Sequence, residues 1–204
     1  SLALLFVIVR SIDVASVVEV VRGMKPEYLL LALLMQLLSA VLASWRWYQI
    51  MRRLKFNLGP LFYLKSYLKG TFFNQALPGG IGGDAYRVIE TATVGQGKKE
   101  AFYGVFLDRV LGLVGLMLLN LLANIAYPDL LPRPIFHILN VIALCGIAAV
   151  IMFAMLGKIE RFAHFKLTRH LHELSAAMRA VYRDWYAIAL HGLMSVLIHF
   201  VSMV

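Results

Sequence analysis

The chain has 204 residues, 61% of them hydrophobic and only 15% charged, with a mean hydropathy of +0.77. That apolar share exceeds what soluble domains carry and excludes an ordinary soluble enzyme or binding module. The net charge of +9 needs no nucleic acid to explain it, because basic residues flanking membrane spans are expected from the positive-inside rule.

A membrane-crossing helix takes about 20 apolar residues. Leu2 to Val9 is apolar but shorter, and with Ser1 at the start it reads as the tail of a span that begins earlier. Tyr28–Trp45, Ala101–Tyr127, Pro134–Leu156 and Trp185–Val204 are the further predicted spans, the last breaking off inside its apolar run. The expectation is a single all-α, polytopic transmembrane domain over 1–204, truncated at both ends. Cys145 lies alone within an apolar run, so no intrachain disulfide is possible.

Sixteen of the twenty Lys and Arg fall in three stretches, Arg46–Lys69, Arg87–Arg109 and Lys158–Arg183, which are placed on the cytoplasmic side. The link between Trp45 and Ala101 then begins and ends on one side and crosses an even number of times. Leu58–Leu77 is apolar enough to enter the bilayer but carries Lys65, Lys69, Asn74 and Gln75, and Pro78–Gly97 is too polar to return as an ordinary span. The prediction is a re-entrant hairpin over about 58–97, broken at Pro78-Gly79-Gly80 and turning back through Gly82, Gly83 and Asp84. Such backbone is tolerated at membrane depth only where it is buried in protein or lines a wet cavity.

Downstream, Leu167, Leu171, Leu174, Met178, Val181 and Trp185 recur at spacings of four and three, with Lys166, Arg169, Arg179 and Arg183 outside the stripe. This predicts an interfacial amphipathic helix over about 162–183, read as a connector between spans. Val14, Val17, Val18, Val21 and Met24 make a weaker stripe on the outer side. In the Ala101 span, Gly104, Asp108, Gly112 and Gly115 share one face, where another backbone can approach closely.

The chemistry concentrates in FFNQALPGGIGGDAYR, residues 72–87. Gly80-Ile81-Gly82-Gly83-Asp84-Ala85 formally matches a dinucleotide fingerprint, but a membrane helix precedes it in place of a strand. Glycines that expose backbone N–H groups, a helix end capped by Asp84 and the fork of Arg87 instead suit an anion such as a headgroup phosphate. Lys69 and Lys65 stand lower on the entering helix. A structural reading stands beside this one: Asp84, Arg87 and Glu90, spaced by three, form an ion ladder on one helix face, and Asp108 and Arg109 pair with the same groups across helices. Asn74 and Gln75 either touch the headgroup or satisfy the broken backbone. No cofactor or metal is expected: His164, His170 and His172 lack a completing carboxylate or Cys at ligand spacing, His191 and His199 lack a triad and are expected to hydrogen-bond inside the bundle, and no serine sits in a nucleophile elbow.

Arg46-Trp47, the block from Phe73 to Arg87 and Asp108-Arg109-Val110-Leu111-Gly112-Leu113 together give a resemblance. The sequence resembles the transmembrane region of lysylphosphatidylglycerol synthases of the multiple peptide resistance factor type and related stand-alone flippase-like proteins. The resemblance covers about Trp45 to Leu113 and departs from it at Asp108, where Glu is the commoner residue. It implies a non-enzymatic bacterial inner-membrane domain that moves an anionic or aminoacylated phospholipid between leaflets, without the soluble synthase domain. Further helices and a second hairpin beyond Val204 would belong to such a protein. On this view the headgroup site comprises Arg87, Arg109, Asn74, Gln75, Lys69, Gly80, Gly82 and Gly83, with Asp84, Glu90 and Asp108 as structural ion pairs or caps. The alternative is a non-transporting scaffold for a lipid-modifying or glycosyl-transferring enzyme partner; a homo-oligomer is compatible with either.

Overall fold

The computed structural model describes residues 19, 22–76, 81–94, 97–156 and 166–203. Among them the chain is all-helical: α1 Pro26–Arg53, α2 Pro60–Ala76, α3 Gly82–Val94, α4 Lys98–Ala126, α5 Arg133–Leu156, α6 Lys166–Val181 and α7 Trp185–Met203. Four of these, α1, α4, α5 and α7, are long and apolar enough to cross a membrane, matching the predicted spans. The expected span ending near Val9, most of the stripe at Val14–Met24 and the Pro78-Gly79-Gly80 break lie outside the described residues.

Local sequence explains where α1 stops. Lys55 takes a left-handed conformation (φ 68°), Phe56 N–H donates to the Met51 carbonyl and Lys55 N–H to the Arg52 carbonyl, which is the Schellman pattern. Its apolar seal is Phe56 against Met51. Both belong to a core with Trp47, Tyr63, Ala101 and Val105 that joins α1, α2 and α4. Trp47 meets the edge of Tyr63 at 4.8 Å between ring centres, a favoured aromatic geometry.

The expected small-residue face of α4 is present and has named neighbours. A Cβ on Gly104 would strike Met51 Sδ, and one on Gly115 would strike Ser195 Cβ on α7. These glycines bring α1 and α7 close to α4 where the site is built.

α6 does more than connect. Leu174, Met178 and Val181 are buried as the stripe predicted, whereas Leu171 and Trp185 are exposed and Trp185 already opens α7. Ser175 Oγ donates to Phe153 and Ala154 carbonyls and Arg179 to the Ala154 carbonyl, so both side chains satisfy the open C-terminal carbonyls of α5. Arg179 falls outside the apolar stripe and still takes part in the docking of α6 on α5. Glu173 on α6 binds Lys99 and the Tyr103 hydroxyl on α4, with His170 at 3.5 Å. The Lys99 hydrogen bond holds the Glu173 carboxyl below its ordinary range. A lowered carboxylate adds stability above its unfolded value and loses it as pH falls through the folded one. The protection of α6 amides, taken relative to their intrinsic exchange rates, should therefore fall below about pH 4, and Glu173→Gln should remove that dependence.

Candidate functional site

The second and third helices form an antiparallel pair. Gly70 faces Gly83, Phe73 stacks on Tyr86 at 4.7 Å, and Lys69 Nζ binds Glu90 Oε1 at 2.6 Å. At the crossing a Cβ on Gly83 would collide with the Gly70 carbonyl and lie 2.7 Å from Asn74 Cγ. Glycine at 83 is what allows this approach, and a Cβ on Gly70 would also be tight, 3.0 Å from the Gly83 carbonyl oxygen. The approach lets the Gly83 N–H donate to Asn74 Oδ1 at 2.7 Å, satisfying one of the open donors in the first turn of α3.

From that crossing α3 extends Arg87 into the bundle, where it is 3% exposed. Its Nη2 donates to Asp108 Oδ2 at 2.9 Å and its Nη1 to Asp84 Oδ1 at 3.3 Å. The guanidinium lies 4.0 Å from the Trp47 ring centre and 5.0 Å from that of Tyr67, adding cation–π attraction in a desolvated place. Asp108, 2% exposed, receives Arg46 Nε at 2.9 Å on its other oxygen. Arg46 also donates to Ser195 Oγ at 2.7 Å and to the Asp108 carbonyl at 3.2 Å. One carboxylate thus ties α1, α3 and α4 together, and Arg46 adds α7. A buried ion cluster of this kind is tolerable only when its members are saturated with partners, and Arg87 Nε is left without one.

The network surfaces at Arg109, whose side chain is 53% exposed. It grips Asp84 with both arms of its fork, Nε to Oδ2 at 2.5 Å and Nη2 to Oδ1 at 2.9 Å. Counting Arg46, Arg87 and Arg109 against Asp84 and Asp108, the cluster carries one net positive charge. Two cavities flank it. One of about 160 Å³ is polar and reaches Gln36, Thr71, Asn74, Asp84, Arg87 and Arg109. A second, of about 320 Å³, lies between Arg46, Arg87, Arg109, Leu113 and His199. His199 Nε2 donates to the Gly112 carbonyl at 2.8 Å, and His191 Nε2 to Gln49 Oε1 at 3.1 Å. Both histidines hydrogen-bond inside the bundle, as expected.

Set against the predicted residues, the cavities bring together Arg87, Arg109, Asn74 and Asp84. Gly82 and Gly83 open α3 beside them, while Gly80 lies outside the described residues. Lys69 points to Glu90 and Gln75 is exposed, so neither joins the cluster. The expected ladder of Asp84, Arg87 and Glu90 is only half present. Asp84 and Arg87 pair, but Glu90 turns to Lys69 and Tyr86 because its position faces α2. Asp84 is not a cap either: α3 begins at Gly82, so Asp84 sits inside the first turn, where its charge favours the helix dipole and its oxygens serve Arg109 and Arg87. Arg46 and Arg87, assigned to cytoplasmic charge clusters from the sequence, are interior residues. Ser195 was not singled out, and its burial against Gly115 could be found only once α4 and α7 were side by side. No group of three or more His, Cys, Asp and Glu able to hold a metal occurs among the described residues.

Long apolar helices closed around a buried arginine–aspartate network define a multi-span helical membrane protein. The chain belongs to the family of lysylphosphatidylglycerol synthase transmembrane regions, whose model matches residues 1–204, the whole chain. No curated protein and no solved structure matches it. The family fits a lipid-related role in the membrane.

Proposed function

We propose that this domain is a non-enzymatic, flippase-like protein of the bacterial inner membrane that carries an anionic or aminoacylated phospholipid between leaflets. The observation that carries this reading is the single net positive charge of the Arg46, Arg87, Arg109, Asp84 and Asp108 cluster, which surfaces at the half-exposed Arg109 beside two cavities among apolar helices. A phosphodiester headgroup brings the one negative charge that balances it, and the arginine fork suits two phosphate oxygens. Intramembrane charges left with a surplus mark substrate paths.

The reading includes the re-entrant hairpin, here α2 and α3. Asp84 at the start of α3 meets Arg109, about 16 Å along α4 from Lys98 at 1.5 Å per residue. That is roughly half of a 30 Å hydrocarbon core. It supports a hairpin that dips to mid-depth with its glycine-lined tip beside the cavity. The amphipathic α6 then lies along the cytoplasmic interface.

Arg109→Gln removes the surplus charge while leaving the buried Arg46–Asp108–Arg87 links in place. In reconstituted vesicles, headgroup-selective translocation of phosphatidylglycerol should fall by about tenfold or more, the scale of a lost charged hydrogen-bond pair. Unchanged selective translocation would remove Arg109 from the mechanism. One observation favours a second reading, a scaffold for a lipid-modifying enzyme: Arg87 and Arg46 are already held by Asp108 and Asp84. That reading gives equal lipid movement in wild type, variant and empty vesicles, with co-purification of an enzyme.

A further inference from the structure

A third cavity, of about 390 Å³, runs between α3 and α4 and is lined almost wholly by apolar side chains. Ala85, Val88 and Ile89 form one wall and Phe102, Val105 and Phe106 the other, and the groove ends at the Asp84–Arg109 pair. Because α3 runs antiparallel to α4, Asp84 lies at Arg109 while Ile89 lies toward Phe102. The outer rim is open: Ile89 is 64% and Phe102 49% exposed. Asp84 and Arg109 also line the polar cavity on the opposite side. The ion pair is therefore the partition between an apolar groove and a polar chamber.

We propose that this groove takes one acyl chain of a phospholipid whose phosphate displaces Asp84 from Arg109, the headgroup entering the polar cavity and the chain running toward the N-terminal end of α4. This rests on the lipid-carrying function above and deepens it by assigning the tail a place. Two features select that occupant. The groove wall is apolar throughout, as a hydrocarbon chain requires, and its closed end presents a guanidinium fork already shaped to an oxyanion by the Asp84 carboxylate. Asp84 thus acts as an internal stand-in for the phosphate. Its release from Arg109 uncouples α3 from α4 at this point, so lipid entry and movement of the hairpin become one event.

The full chain in phosphatidylglycerol vesicles is probed with lipids carrying a photoactivatable diazirine either midway along or at the end of one acyl chain, and labelled residues are located by mass spectrometry. Arg109 and Phe102 are about 10 Å apart along α4, so the mid-chain probe should mark the groove residues Val105, Phe106, Phe102 and Ile89, and the terminal probe, which reaches past Phe102, should mark them less. Ala85→Trp, which fills the groove from its exposed side, should reduce this labelling to vesicle background; Ile142→Trp on the lipid-facing side of α5 should not change it. Asp84→Asn weakens the competing partner of Arg109 and should raise groove labelling severalfold. Even labelling of α3, α4 and α5, loss of labelling in Asp84→Asn, or crosslinks joining two copies of the chain at the groove would each overturn the proposal. Groove labelling without translocation would remove the flippase reading and leave the groove standing. Translocation without groove labelling would do the reverse.

Discussion

Asp108→Ala should destabilise the fold by about 3–5 kcal/mol, the cost of breaking a buried pair and leaving its partners charged. Among the described residues Asp108 is the one carboxylate paired with Arg46, and it shares Arg87 with Asp84. Its removal strands Arg46 at 5% exposure with only Ser195 and a backbone carbonyl. Asp108→Asn should be nearly as damaging, since the amide keeps the shape but not the charge. Asp108→Glu keeps the charge at the expense of one added methylene and should retain more stability than Asp108→Asn. Thermal unfolding in detergent, read by tryptophan fluorescence, separates these outcomes; equal unfolding temperatures for Asp108→Asn and wild type would show that charge at this position is not what holds α1, α3 and α4 together.

Gly83→Ala is the second large effect expected, at about 3 kcal/mol, the upper end for overpacking. A single methyl group there meets the Gly70 carbonyl, which is backbone and cannot rotate away, and crowds Asn74 Cγ at 2.7 Å. The helices must separate, the Asn74–Gly83 hydrogen bond breaks, and Arg87 is carried off Trp47 on the displaced α3. Gly59→Ala, where a Cβ meets nothing within 4 Å, should leave stability nearly unchanged. Comparable stability of Gly83→Ala and wild type would mean that α2 and α3 do not cross at this point.

Much of this architecture was legible from residue order. Apolar runs located the spans because a helix in lipid must be apolar for about 20 residues, and the glycine face of α4 announced close packing. Asn74, open from the sequence to either a headgroup or the broken backbone, accepts from the Gly83 N–H. Partner choice among the charges was not legible. Asp84, Arg87 and Glu90 share a helical spacing, but which neighbour each one meets depends on α2 and α4 flanking α3 on different sides. The same limit applies to Arg46: it ends an apolar stretch and reads as a loop charge until Asp108 and Ser195 are seen converging on it from α4 and α7. The task of Arg179 as a closing partner for α5 carbonyls depends likewise on tertiary docking that a stripe of leucines does not reveal.

The account depends most on the glycine-lined hairpin entering the bilayer and leaving by the same face. In a chain with Cys145 replaced by Ser, single cysteines placed at Lys55, before α2, and at Lys98, after α3, can be labelled in sealed vesicles by a reagent that does not cross the membrane. Both sites should react from the same compartment, and a cysteine at Asp129, between α4 and α5, only from the other. Labelling of positions 55 and 98 from opposite sides would make the segment an ordinary crossing, and the mid-membrane phosphate site would have no place to form.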